Sequence, residues 1–278
     1  MKLGLISSAF VGTHVGTAEG IRVTKDLGFD TIDIFGDPVE MDAREKRLIR
    51  DTCEEVSLPV VSTVCCALGI ADFAAVVRRF HIDRAKRFLD FGYDLRGRNL
   101  LLVLGEYIWQ QEVIAPRDQW AWAVEGVREI ATHAASLELE IALEIEPFAL
   151  SIINNAEKMG RFLDDVNHPA AKANIDISHL VLAHDPPQRI AQLLAGRIAH
   201  VHISDCDGKV HGDLPPGRGC VQFQPYLSAL RDTGFNGSVS IELEYSPEPA
   251  KIVDWVREAC VATAALMEEL SIRDVDSR

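Results

Sequence analysis

Short apolar, β-branched runs alternate with longer amphipathic stretches from one end of the chain to the other. A strand reads as an apolar run of about 4–8 residues, and a helix as a longer segment whose apolar positions recur at helical spacing. LGLISS, TIDIF, PVVSTVCC, NLLLVLG, EIALEIE, KANIDIS, AHVHIS and SVSIELE fit the first description. Helical spacing runs through TAEGIRVTKDLGF, AREKRLIRDTCEEV, about Asp83 to Tyr93, QWAWAVEGVREIATHAASL, Ala156 to Val166, RIAQLLAG, PYLSALRDTG and Ala250 to Leu270.

Strict strand–helix alternation implies right-handed crossovers between parallel strands. Eight such units predict an α/β fold closed as a single (β/α)8 TIM barrel, one domain spanning residues 1–278. A doubly wound open sheet fits less well, because no GxGxxG turn follows the first strand. No linker or low-complexity tract interrupts the pattern. The long polar stretch is Ser204–Gln222, rich in Gly and Pro, and a loop of that length on the C-terminal face of a barrel is expected to cover substrate.

Side chains alternate between the two faces of a strand. In the last four strands this places Glu144 with Ala142 and Glu146, Asp176 with Asn174, His202 with His200, and Glu242 with Ser240 and Glu244. The polar set points inward and the aliphatic set outward, near the strand ends where barrels of this kind build their active sites. One inward acid is commonly an ion-pair partner, and a lone histidine such as His200 a satisfied core residue. Four successive strands repeating the arrangement are harder to explain structurally. Three buried carboxylates repel one another, and no Lys or Arg is expected on their face, so a divalent cation is the natural counter-charge. Three oxygens and one nitrogen from Glu144, Asp176, His202 and Glu242 suit Mn2+ or Mg2+ best, with Co2+ or Zn2+ compatible. No cysteine occupies a ligand position, against a thiolate zinc site.

Composition narrows the partners. A hydrophobic fraction of 47% supports a large core, and 28 basic against 42 acidic residues give a net charge of −14. Such a surface repels phosphate backbones, so no nucleic-acid partner is expected. No apolar run reaches the roughly 20 residues of a membrane helix. The start, MKLGLISSAF, has no secretory pattern, and the six cysteines form no CxxC pair. Reduced thiols and a cytoplasmic location are the expectation.

Leu143-Glu144, Asp176 through His179, His200 through Asp205 and Ile241-Glu242 together resemble the xylose isomerase-like TIM barrels. Within them they resemble the sugar phosphate isomerase/epimerase group that includes D-tagatose 3-epimerase. The resemblance spans essentially the whole chain, with its motifs between Ile141 and Glu244. It implies that Glu144, Asp176, His202 and Glu242 hold one divalent metal, with His179 beside it facing a small-molecule carbohydrate. It also implies that Glu144 and Glu242 act as the base and acid pair, moving a proton through an enediolate. Glu146 and Glu244 then become substrate or supporting contacts, although a one-pleat shift would exchange them with Glu144 and Glu242 as ligands. A homo-oligomer, dimer or tetramer, is the expected assembly.

The family's ketose epimerases carry an arginine several residues after the metal-binding histidine, where this chain reads Ser204-Asp205-Cys206-Asp207-Gly208. Arg218, in PGRG, is the candidate substitute, with a solvated loop charge as the structural alternative. Glu106 and Trp109, in GEYIWQQ, are further candidate substrate contacts; Trp120 and Trp122 fit helix packing better. His211 and Asp213 belong either to the covering loop or to solvent. No phosphate-binding glycine loop follows the seventh or eighth strand, favouring an unphosphorylated substrate. The same site would also serve a lyase, a dehydratase or an enzyme eliminating from a 3-keto-glycoside. Endonuclease IV shares the fold but uses histidines on the third and fourth strands, which here end in VCC and VLGEY. A catalytically silent metal-binding module would lack the paired glutamates.

Overall fold

In the computed structural model, which describes residues 1–109 and 113–274, eight parallel strands close into a barrel in sequence order. They are β1 (Lys2–Ile6), β2 (Thr31–Phe35), β3 (Val60–Cys66), β4 (Asn99–Val103), β5 (Glu140–Leu143), β6 (Ala171–Asp176), β7 (Ile198–Ile203) and β8 (Ser238–Ile241). Pairing of Lys2 with Ser238 and Leu5 with Ile241 seals the ring. The chain is therefore a single (β/α)8 barrel, as the alternation predicts.

Helices α1 (Thr17–Asp26), α2 (Ala43–Glu55), α3 (Ala75–Asp94), α4 (Pro116–Ser136), α5 (Ala156–Val166), α6 (Ile177–Leu182), α7 (Gln188–Leu194), α8 (Phe223–Asp232) and α9 (Ile252–Glu269) surround it. Local chemistry sets several ends. Asp42 accepts the Arg44 and Glu45 amides at the start of α2, Asn155 accepts the Lys158 amide at the start of α5, and Pro116 opens α4 without forfeiting a needed donor. Two helices depart from expectation. The third starts at Ala75 rather than near Asp83, because Val76 and Phe80 face solvent and do not mark a buried stripe. The sixth unit carries two helices, α6 rising directly from the end of β6.

The aliphatic faces of the strands, Leu3, Leu5, Leu102, Leu143, Ile175, Val201 and Ile241 among them, pack against helix residues such as Phe88, Ile130, Phe162 and Leu227. The barrel interior is divided. Ile6, Val64 and Leu101 fill one side with Phe35 and Val103 against them, whereas Asp33, Asn174, His200, His202 and Ser240 make the other side polar and fully buried. A Cβ on Gly4 would sit 2.3 Å from Ser240 Oγ and 2.7 Å from Thr31 Oγ1, so bare backbone is required there. Lys172 shares the alternation of Asn174 and Asp176, which corrects the expectation of no cation on that face, but it pairs with Glu140 near the N-terminal end. A cavity of about 1050 Å³ opens at that end, lined by Arg98, Lys172 and Arg273 among others. No helix among the described residues is long and apolar enough to cross a membrane.

Candidate active site

Strand ends deliver the acidic residues to one place. Asp176 closes β6 and His202 lies one residue before the end of β7. Glu144 and Glu242 each fall one residue beyond their strands, yet their amides still bond Leu102 O and Ile203 O of the neighbouring strands, extending the register. Asp176, His202 and Glu242 each offer a ligand atom, and these atoms all lie within 4.8 Å of one another. His202 Nδ1 is 3.1 Å from Glu242 Oε2 and 3.9 Å from Glu144 Oε2. Asn174 donates to Glu144 Oε2 at 2.7 Å. Glu144 Oε1 and Asp176 Oδ2 are buried without a hydrogen-bond partner.

Orphaned carboxylate oxygens are costly in a low-dielectric interior unless a cation or donor reaches them. The donor set is therefore one that fits a divalent cation: oxygen-rich, with a single imidazole and no thiolate. A second grouping, Asp33, His200 and His202, also has ligand-like spacing, but there His200 Nε2 already bonds Asp33 Oδ2 at 2.8 Å.

His179 reaches the same cluster because Asp176 caps α6. Asp176 Oδ1 accepts the His179 amide at 2.9 Å and the Ser178 hydroxyl at 2.8 Å, turning the chain into a helix immediately after the metal-capable residue. His179 Nδ1 donates to Ile145 O at 2.7 Å and lies 3.7 Å from Glu144 Oε1. Its Nε2 shares a hydrogen bond with His211 Nε2. His211 comes from the Ser204–Gln222 segment, which folds onto the site. Ser204 Oγ is 3.0 Å from Ser178 Oγ and 3.2 Å from Asp213 Oδ1.

Asp205 organises that segment. Its Oδ1 accepts the amides of Cys206 and Val221 at 2.9 and 3.0 Å, and its Oδ2 those of Gly217 and Gly219 at 2.9 and 2.8 Å. A Cβ on Gly219 would lie 2.2 Å from Cys206 O, so the loop closes only around glycine.

Burial and crowding of like charge tune the acids. Burial pushes Glu242 well above the ordinary carboxylate range, against the pull of His202. Glu146 rises to about 7, from burial and then the charges of Glu144 and Asp176, against His179. Asp213 also rises to about 7, from burial and Asp176. Burial alone would lower His179 and His202, but the surrounding carboxylates hold both well above an ordinary imidazole. His211 falls to about 4, from burial and the neighbouring positive charge of His179.

The remaining candidates disperse. Trp109 is half exposed, with a left-handed φ of 54°, its ring 5.1 Å from that of Phe73 at the rim. Glu106 is exposed and bridged through its backbone to Ser151; the rest of that loop, from Gln110 to Glu112, lies outside the described residues. Arg218 is engaged by α9, with hydrogen bonds of 2.7 and 2.6 Å to Glu258 and its guanidinium 4.4 Å from the centre of the Trp255 ring. Trp120 packs edge-on against Phe162, as its helical spacing predicts. Asp33 escaped the sequence reading; its only signal was a polar residue between Ile32 and Ile34.

Residues 21–260 match the family described as xylose isomerase-like TIM barrel. The chain is 28% identical over 272 residues to L-ribulose-5-phosphate 3-epimerase UlaE of Salmonella paratyphi C, covering 90% of this chain and 92% of that one. Among solved structures, D-allulose 3-epimerase from Methylomonas sp., in complex with D-allulose, superposes with a TM-score of 0.80 at 20% identity, covering 99% of this chain and 97% of that one. The IOLI protein with a bound zinc atom gives a TM-score of 0.82 at 19% identity, with 97% and 99% covered. The 3-keto-D-glucoside 4-epimerase YcjR from E. coli gives 0.79 at 19% identity, with 96% and 99% covered.

Proposed function

The chain belongs to the xylose isomerase-like TIM barrel family, and on that premise we propose that it is a divalent-metal-dependent epimerase or isomerase of a free keto-sugar. One observation carries the reading: Asp176, His202 and Glu242 converge within 4.8 Å, with a buried, unpartnered oxygen on Asp176 and Glu144 Oε2 3.9 Å from His202 Nδ1. The related epimerases of L-ribulose 5-phosphate and D-allulose support the reaction class.

Glu144, Asp176, His202 and Glu242 would hold the cation, Mn2+ being the best match to an oxygen-rich set. When bound, it supplies Lewis acidity to the ketose carbonyl and the adjacent hydroxyl, which acidifies the neighbouring C–H. Glu144 and Glu242 flank the substrate; one removes the proton from the carbon beside the carbonyl, leaving an enediolate, and the other returns a proton to the opposite face or the adjacent carbon. His179 holds a substrate oxygen, its orientation fixed by the bond to Ile145 O, and Glu146 contacts a further hydroxyl. Trp109 and Glu106 stand apart from the cluster, on Phe73 and Ser151, so neither is assigned a substrate contact. A role for Arg218 at substrate would require it to leave Glu258.

The free-ketose choice rests on the sequence, where no phosphate-binding glycine loop follows the seventh or eighth strand, against the phosphorylated sugar of the L-ribulose-5-phosphate relative. Elimination from a keto-sugar would begin with the same proton abstraction, and the activities of the relatives favour proton return instead.

The test is a panel of D-allulose, D-tagatose, L-ribulose and L-ribulose 5-phosphate with chelated and Mn2+-restored protein, products resolved by chromatography. Metal-dependent interconversion of a free ketose supports the reading. Loss of water or of a substituent as the sole product would favour the lyase, and a preference for the phosphorylated sugar would refute the free-ketose assignment.

A further inference from the structure

The geometry points to Asp33 as a positioning residue that sets the orientation and proton location of His202, working from beneath the metal-capable cluster with His200 as its brace. Asp33, His200 and His202 are all fully buried. A carboxylate in that position persists only with donors to satisfy it. His200 Nε2 donates to Asp33 Oδ2 at 2.8 Å, which anchors one oxygen. His202 Nε2 lies 3.8 Å from the same atom and has no hydrogen-bond partner, nor has Asp33 Oδ1. The rings of the two histidines meet edge to face, their centroids 5.2 Å apart.

His202 thus stands between two sets of carboxylates. Its Nδ1 faces Glu242 at 3.1 Å and Glu144 at 3.9 Å, and its Nε2 faces Asp33. An imidazole that ligates through one nitrogen carries its proton on the other, and an acceptor on that side holds ring and tautomer together. Asp33, as an ionised carboxylate, can only accept. With a cation bound, Asp33 would keep the remaining proton on Nε2 and free the Nδ1 lone pair, the nitrogen that in the metal-free fold contacts Glu242 at 3.1 Å. The spacing of Asp33, His200 and His202 would also admit a second cation, and Asp33 Oδ1 and His200 Nδ1 are unpartnered, but a His202 Nε2 that carries the proton cannot ligate it.

This inference rests on the metal reading of the site, and titration calorimetry with Mn2+ separates the two. Wild type should bind one equivalent, Asp176→Ala should abolish binding, and Asp33→Asn, nearly isosteric, should weaken Kd by about 10–100-fold with the melting temperature retained. If wild type binds no divalent cation, the metal reading falls and takes this inference with it. If wild type binds and Asp33→Asn binds equally well, or if a second equivalent disappears in Asp33→Asn, the inference alone is overturned. A direct readout on wild type needs no variant to fold: 15N spectra of the Mg2+-loaded, histidine-labelled protein should show His202 protonated at Nε2 and bare at Nδ1. The reverse tautomer would overturn the assignment.

Discussion

Asn174 donates its side-chain N–H to Glu144 Oε2 across 2.7 Å inside the barrel, one strand presenting the amide and its neighbour the carboxylate. This bond holds the Glu144 oxygen that stands 3.9 Å from His202 Nδ1 and leaves Oε1 unpartnered, 3.7 Å from His179 Nδ1. Asn174→Ala is expected to leave a buried acceptor unpaired, destabilising the fold by about 1–3 kcal/mol. It should also reduce kcat by roughly 100-fold through misplacement of Glu144. Denaturant unfolding and steady-state kinetics measure the two effects separately; unchanged kcat would remove Asn174 from the orientation of Glu144.

The loop over the site depends on one carboxylate. Asp205 accepts four amides from Cys206, Gly217, Gly219 and Val221, bonds that gain strength from its charge. Asp205→Asn should lose at least one acceptor and loosen the segment that brings His211 and Asp213 onto the site. Limited proteolysis is expected to cut the variant between Asp205 and Val221 where wild type resists. Equal resistance would show that the backbone pairing of Asp205 with Leu214 suffices.

The raised acids make a pH prediction for the metal-free protein. Glu146 and Asp213 are held near 7 in the fold, whereas in the unfolded chain they titrate near about 4. Between those values the folded protein binds more protons than the unfolded one. Its stability therefore falls as pH rises from about 4.5, with His211, lowered to about 4, offsetting part of the decline. It keeps falling above about 7 as Glu242, His179 and His202, all raised in the fold, lose their protons. Urea unfolding of chelated protein across that range should show the decline, and Glu146→Gln should flatten it. A stability that rises through the same window, with no change in Glu146→Gln, would contradict the cause assigned here.

Thiol reactivity should single out one cysteine. Burial pushes Cys53 and Cys65 up to about 12 and Cys66 and Cys260 to about 11, so at pH 8 roughly a thousandth or less of each is thiolate. Cys220 is exposed. A chromogenic disulfide reagent should titrate one fast thiol in native protein, and Cys220→Ser should remove that phase. Several fast thiols in wild type would show that the buried faces open readily.

Much of the site is legible because barrel strands repeat a simple code. Glu144, Asp176, His202 and Glu242 each break an aliphatic alternation at a strand end, and strand closure brings those ends together. Ile177-Ser178 read as a continuation of β6, since Ile177 keeps the alternation. What ends the strand is the Asp176 side chain capping the His179 amide, a local competition that periodicity does not register. Asp33 was illegible for another reason. TIDIF is an ordinary strand, and the His200 that gives Asp33 its meaning lies 167 residues away. Arg218 likewise found its partner in α9, forty residues on.

The central claim is that Glu144 and Glu242 move a proton at the carbon beside a ketose carbonyl while a divalent cation is bound. Its most direct test is deuterium incorporation at that carbon, followed by NMR in D2O with Mn2+-loaded enzyme and a ketose it converts, the paramagnetic ion being removed before spectra are taken. Wild type should incorporate one deuterium per turnover. Glu144→Gln and Glu242→Gln should lose exchange by at least about 100-fold, the scale of general acid–base catalysis, with enough metal present to keep the site filled. Exchange retained in both variants, or turnover in wild type without solvent deuterium, would contradict it.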